Sequence, residues 1–312
     1  MGGTARVGRG LSVEAQSGAA AGDARRLTLV MNPTAAGGRP LRVLPGVQEQ
    51  LRALGLEHRV VQTTDIEHAA AEARAAAEGG ETVVALGGDG LVGAIAAAVR
   101  STGPIGVLPG GRGNDFARAL GISQDPNEAC RVLADGEERR VDLGEVNGRP
   151  FVSIASAGFD SDANRIANEV KLIKGNLVYL YGALRALAAW KDTNFTVELD
   201  GEKHEFQGYN VITANSAYYG GGMRVAPDAD MADGIVDVVL IGSHSKLRFL
   251  SNLPKVFSGK HVAVEGVSAH RAREVRISAD RPFDVYADGD RLTELPATVR
   301  MIPGELRVIA PR

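Results

Sequence analysis

Cysteine is all but missing from these 312 residues, with Cys130 the only one. A lone thiol forms no intrachain disulfide, and no Cys/His framework for a structural metal exists. Within Asn-Glu-Ala-Cys-Arg-Val-Leu, Cys130 reads as a small buried helix residue rather than a nucleophile. No apolar run is long enough to span a bilayer. An excess of one charge is lacking too. Against 38 Asp and Glu stand 35 Lys and Arg, a formal net charge of -3, so nucleic acid is not an expected partner. None of the six histidines stands at ligand-like spacing to another. The common nucleotide fingerprints are missing as well: no Gly-x-x-x-x-Gly-Lys-Ser/Thr, no strict Gly-x-Gly-x-x-Gly and no protein-kinase catalytic loop.

What is present is a globular composition, 44% hydrophobic and 23% charged, with enough apolar material for a sizeable core. Residues 1–24 are rich in Gly, Ala and Ser without a continuous apolar stretch, and read as a disordered leader rather than a secretory signal. The opening Met1-Gly2-Gly3 is followed by Arg6 where a myristoylation motif requires Ser or Thr. From Leu27 onward, short apolar runs alternate with helical spacings. Residues 27–31 read as a buried strand ending at Asn32-Pro33. Leu41, Leu44, Val47, Leu51 and Leu54 recur as on a helix that Gly55 stops. Residues 58–62, 82–86 and 105–108 are further strand candidates, and Asp65 is placed to cap an Ala-rich helix. This rhythm predicts a parallel, doubly wound sheet. Beyond about residue 140 it changes. Strand-like stretches dominate at 151–155, 195–199, 209–214, 236–241, 275–278 and 283–286, interrupted by helix candidates at 177–190 and 246–256. The expected division is a leader (1–24), an α/β domain (25–145), a β-rich domain (146–295) and a last strand (296–312) that is free to return to the first domain.

Two Gly-rich turns directly follow strands: Gly87-Gly-Asp-Gly90 and Gly110-Gly-Arg-Gly-Asn-Asp115. Glycine lets the backbone approach a phosphate, and the following helix aims its N-H groups at the anion. One such turn is as readily a tight strand-to-helix connection; two in successive units, each carrying an Asp, favour a phosphate site. Asp-Gly pairs elsewhere usually mark turns, the Gly220-Gly-Gly222 run has a tight-hairpin reading, and Tyr218 and Tyr219 suit packing. Lys171, Lys174, Arg185 and Lys191 intersperse Leu172, Ile173, Leu177, Leu180, Leu184 and Leu187. Lys246, Arg248, Lys255 and Lys260 do the same around Leu247, Phe249 and Leu250. Either set fits an amphipathic helix covering the core or a basic, apolar face meeting anionic lipid.

Together, Asn32-Pro33, Gly87-Gly-Asp-Gly90 and Gly111-Arg-Gly-Asn-Asp-Phe-Ala-Arg118 resemble the nucleotide-site motifs of the diacylglycerol kinase catalytic-domain family. The likeness extends through Asn215-Ser-Ala-Tyr-Tyr-Gly-Gly-Gly-Met223, Ala226-Pro-Asp-Ala-Asp230, Asp233-Gly-Ile-Val-Asp237 and Tyr286-Ala-Asp-Gly-Asp290. The resemblance implies a NAD-kinase-like α/β domain, a β-sandwich second domain and a site in the cleft between them. It implies an ATP-dependent kinase acting on the hydroxyl of a lipid, with Mg²⁺. By position, Asn32, Pro33, Thr34, Ala35, Ala36, Thr64, Gly87, Gly88, Asp89, Gly90, Leu91, Val92 and Gly93 would line the ATP site, with Arg112, Gly113 and Asn114 of the second loop. Asp89 would sit near the phosphates and their metal, and Asp290 would be the general base. Asp233, with backbone carbonyls of Asp230 and Ile235, would match a structural magnesium site. A lipid substrate, transient contact with a membrane surface, a cytoplasmic and peripherally membrane-associated location, and a homodimer follow as expectations. Three positions differ from the family pattern: Leu91 for Thr, Arg112 for Thr and Asp290 for Glu. Rival readings are a NAD-kinase-like enzyme and a catalytically weak lipid-binding protein of the same fold.

Overall fold

The computed structural model describes residues 25–169 and 177–312. The leader 1–24 and the segment holding Lys171, Leu172, Ile173 and Lys174 lie outside the described residues.

The first half alternates strand and helix: β1 (Leu27–Met31), α1 (Ala35–Ala53), β2 (His58–Gln62), α2 (Ile66–Glu78), β3 (Thr82–Gly87), α3 (Asp89–Val99), β4 (Pro104–Pro109), α4 (Asp115–Ala119) and α5 (Pro126–Asp135). β1 and β3 are buried along their whole length, as strands covered by helices on both faces must be. The four strands pair in parallel in the order β2-β1-β3-β4. From β1 the chain moves outward to β2, and from β3 outward to β4 on the other side. That reversal opens a crevice at the carboxyl ends of β1 and β3, where open α/β sheets bind ligands. Asp65 does cap α2, accepting from His68 N at 2.8 Å. α1 enters through three left-handed residues, Ala36 (φ 48), Gly37 (φ 68) and Gly38 (φ 79). Its apolar face settles after that kink: Leu44, Val47 and Leu51 are buried while Leu41 stays exposed.

The second half runs β5 (Glu137–Val146), β6 (Arg149–Phe151), β7 (Ile154–Gly158), α6 (Phe159–Glu169), α7 (Leu177–Ala189), β8 (Thr193–Leu199), β9 (Glu202–Ala214), β10 (Tyr218–Tyr219), β11 (Met223–Arg224), β12 (Val236–Gly242), α8 (Lys246–Phe257), β13 (Val267–Ala272), β14 (Glu274–Ala279), β15 (Asp284–Ala287), β16 (Asp290–Glu294) and β17 (Ala297–Ala310). Its sheet follows the path β16-β15-β7-β9-β8-β14-β17. The core beneath is aromatic: Trp190 stacks on Tyr209 at 5.5 Å, and Phe249 on Tyr209 at 4.5 Å. The single strand expected over 151–155 is two, β6 and β7, because the backbone between them turns its N-H groups to the Asp288 carboxylate.

β17 belongs to both halves. It pairs antiparallel with β14 and β5, and near its end it lies parallel to β4 through Arg307↔Pro104 and Val308↔Ile105. The parallel sheet thus continues into the antiparallel one, joining an α/β half to a β-rich half.

Candidate active site

The two Gly-rich loops touch backbone to backbone. Gly110 N donates to Gly87 O at 2.8 Å. A Cβ on Gly110 would lie 3.1 Å from Gly87 Cα, and one on Gly111 would overlap Gly88 Cα. No residue with a side chain fits there without moving a loop. Asn114, left-handed at φ 52, closes the second loop: its Oδ1 accepts from Gly111 N at 2.8 Å and its Nδ2 donates to Gly111 O at 3.3 Å. Asn32 shapes the turn after β1, accepting from Thr34 N at 2.9 Å and Thr34 Oγ1 at 2.8 Å, and reaching Thr64 O at 3.5 Å. Arg39, which sequence reasoning passed over, links this corner to the second loop by donating to Gly111 O at 2.7 Å. Asn32, Thr34 and Thr64 therefore gather at the ends of β1 and β2, with Pro33 in the connecting turn and Ala35 and Ala36 at the start of α1. Leu91 and Val92 are buried in the core of the first half, Leu91 against Gly87, so only their backbone is available to a ligand. Arg112 is exposed and Gly113 half-buried.

Four carboxylates converge around the start of α3. Asp89 Oδ1 accepts from Phe116 N at 3.0 Å. A Cβ on Gly113 would lie 3.0 Å from Asp115 Oδ2 and 3.1 Å from Asp89 Oδ2, so both acids face the same spot. Asp115 reaches into the second half, accepting from Gly221 N and Gly222 N, each at 2.8 Å. From the β15–β16 turn, Asp288 accepts from Val152 N at 2.7 Å, Ser153 N at 2.9 Å and Ile154 N at 3.3 Å. α3 makes room for that turn with glycine. A Cβ on Gly93 would lie 3.2 Å from Asp288 Oδ2, and one on Gly90 only 2.6 Å from Asp290 Oδ2.

Burial raises all four acids, and a neighbouring acid adds to it at Asp89 and Asp288. Burial, reinforced by the Asp115 charge, pushes Asp89 up to about 6 against the pull of the Phe116 N-H. Burial also raises Asp115, despite the Gly221 and Gly222 N-H groups. Asp288 rises to about 7 through burial and the nearby Asp89 charge, although three N-H groups oppose it. Asp290 is exposed as a residue, but its carboxylate is turned in over Gly90, and that desolvation raises it too. Like charges so close call for a cation. Among the described residues no group of three or more His, Cys, Asp or Glu side chains is arranged to hold a metal. Mg²⁺ at phosphoryl-transfer sites is held by one or two carboxylates, completed by phosphates and water. The oxygen donors at Asp89 fit that chemistry.

At the other expected ion position the acids are bonded within the protein, and Asp237 Oδ2 is left buried without a partner. Asp233 Oδ1 accepts from Ile235 N at 3.0 Å and its Oδ2 pairs with Arg271. Arg271 also lies 3.6 Å from Asp237 Oδ1, and Asp230 accepts from Ala232 N at 3.0 Å. Arg271 thus offsets part of the negative charge of Asp233 and Asp237. The loop is held by Asp142, which accepts from Gly234 N at 2.7 Å and Gly304 N at 2.8 Å.

The diacylglycerol kinase catalytic domain matches residues 26–146, and the YegS C-terminal NAD kinase beta sandwich-like domain matches residues 153–310. A diacylglycerol kinase of Mycobacterium tuberculosis is 32% identical over 301 residues, spanning 92% of this chain and 96% of its own. The chain belongs to the diacylglycerol kinase family. A second family member, the diacylglycerol kinase of Bacillus subtilis, is 28% identical over 302 residues, spanning 92% of this chain and 97% of its own. The crystal structure of a diacylglycerol kinase from Bacillus anthracis shares the fold, with a TM-score of 0.69 at 19% identity, over 92% of this chain and 97% of that one. Membership places the chain among the ATP-dependent phosphotransferases. Of the acids at this kinase-family site, sequence reasoning counted Asp115 only as part of its Gly-rich turn and took the Asp288-Gly289 pair for a turn. The available signal was position: each adjoins a motif glycine or asparagine.

Proposed function

We propose that the protein transfers the γ-phosphoryl group of ATP to the hydroxyl of a membrane lipid such as diacylglycerol, using Mg²⁺. The meeting of α3 with the β15–β16 turn carries this reading, with Gly90 beneath Asp290 and Gly93 beneath Asp288. Phosphoryl transfer needs positioned phosphates, screened charge and a proton acceptor. Backbone N-H groups of the two Gly-rich loops offer the phosphates donors, and Thr34, Thr64 and Arg39 border the crevice. Asp89 would hold Mg²⁺ together with the nucleotide phosphates, and the ion would screen their charge. Asp115 ties the two halves together through Gly221 and Gly222. Asp290 accepts the hydroxyl proton as the lipid oxygen bonds to phosphorus, and the bond from phosphorus to the bridging oxygen breaks to release ADP. Its raised pKa brings it nearer the working pH of a general base. Asp288 suits that role less, because three backbone donors engage its oxygens.

The same reading has the protein meet the membrane transiently at its surface. No helix among the described residues is long and apolar enough to cross a membrane. The test is purified protein with γ-labelled ATP and a panel of lipids. Label is expected in an organic-extractable product, and EDTA is expected to abolish it. Label on NAD with none on any lipid overturns the proposal.

A further inference from the structure

α8 buries none of its side chains, although it is rich in apolar residues. One face is partly covered: Phe249 stacks on Tyr209 at 4.5 Å and meets Phe159 edge-on at 4.9 Å. A different face carries Leu247, Pro254 and Phe257, at the i, i+7, i+10 spacing that lines residues up along a helix, while Leu250 packs partly buried against the core with Phe249. On it Leu247 is 80% and Phe257 59% exposed, the two most exposed large apolar side chains among the described residues. A helix that only covers a core turns polar groups outward. Here the outward stripe is apolar, and bases flank it. Lys246, Arg248 and Lys255 are exposed on α8, Lys260 is exposed just beyond it, and the helix contains no acid. Two of these bases also make local bonds: Lys246 Nζ donates to Ala188 O at 2.8 Å and Arg248 pairs with Glu265 at 2.9 Å.

We propose that α8 seats the protein on an anionic bilayer. Leu247, Pro254 and Phe257 enter the boundary between headgroups and acyl chains, and the bases meet headgroup phosphates. The choice of a bilayer rests on the lipid-kinase reading; the charge and the exposed apolar stripe select this face. Phe249 connects the seat to the site. It packs on Phe159, which follows β7, and β7 pairs with the β15 strand that leads to Asp290.

The test is co-sedimentation of the full chain with phosphatidylcholine vesicles, with or without phosphatidylglycerol. Wild type is compared with Leu247→Glu/Phe257→Glu and with Lys255→Gln/Lys260→Gln. Wild type is expected on the phosphatidylglycerol vesicles, and less so as salt rises. Each apolar substitution weakens partition roughly tenfold or more. Each lysine substitution weakens it about fivefold, on anionic vesicles only. Both double variants keep the wild-type melt and wild-type turnover of a short-chain, water-soluble diacylglycerol. Equal sedimentation of variants and wild type, or no binding by wild type, overturns the seat. So does a wild-type dimer that Leu247→Glu/Phe257→Glu dissolves, which makes the stripe a contact between copies. Vesicle binding that follows the expected pattern, without turnover of any lipid, sinks the kinase reading and leaves the seat standing.

Discussion

Asp290 and Gly90 fit together only because Gly90 has no side chain. In Gly90→Ala the new Cβ would stand 2.6 Å from Asp290 Oδ2, so the carboxylate must swing away. Helix propensity meanwhile favours Ala by about 0.5–1 kcal/mol. Turnover is therefore expected to fall tenfold or more while the melt holds or rises, and paired melting and activity assays check this. Asp290→Asn keeps the size of the side chain but accepts no proton at neutral pH. It should lower turnover by ~10²–10⁴-fold with the melt unchanged. Asp288→Asn presents an amide to backbone donors and leaves one without an acceptor, so it should cost about 1–3 kcal/mol of stability, seen as a lower melting midpoint. Asp288 also sets a pH dependence. Its pKa rises from 3.8 to about 7 on folding, so the folded chain keeps a proton that the unfolded chain has lost. Stability from this group is complete below the lower value and disappears as pH climbs through the upper one. Metal-free protein should melt at falling temperature from about pH 5 to about pH 8, with a shallower slope in Asp288→Asn. A midpoint that rises over that span contradicts the assignment.

Among the elements, the Gly220–Gly222 turn between β10 and β11 is fastened to the first half by one carboxylate. Asp115→Ala leaves the Gly221 and Gly222 N-H groups without their acceptor, at about 1–3 kcal/mol each. Hydrogen exchange at those two amides should accelerate well beyond any change in the global melt; unchanged protection there refutes the clamp. The elements themselves were legible where their causes are local. Buried apolar runs marked β1, β3 and β4, and Asp65 announced α2. Glycines at 110 and 111 pointed to a close approach, but their partner, the Gly87–Gly88 backbone, belongs to the neighbouring strand's loop. The break between β6 and β7 was illegible, because its cause, Asp288, lies far along the chain. So was the pairing of Asp233 with Arg271, an acid in a loop and a base on β13. Leu91 was placed at the nucleotide by its motif, and its apolar side chain drew it into the core.

For the molecule as a whole, β17 decides cooperativity. Leu306 is fully buried and paired with Val141, one residue before the Arg307↔Pro104 contact with β4. Leu306→Ala should cost about 2–5 kcal/mol. Because one strand serves both halves, the loss should appear in both at once. Trp190, the only tryptophan, reports the second half by fluorescence, and nucleotide binding reports the first. The two midpoints should shift together, and separate shifts would show that the halves unfold independently. The same strand also fixes an order of assembly during synthesis. β4 emerges from the ribosome long before residues 307–308 exist to lie beside it. An unpaired strand edge is a template for wrong partners, so the first half is most vulnerable to misassociation throughout translation of the second half, and it closes only when β17 arrives.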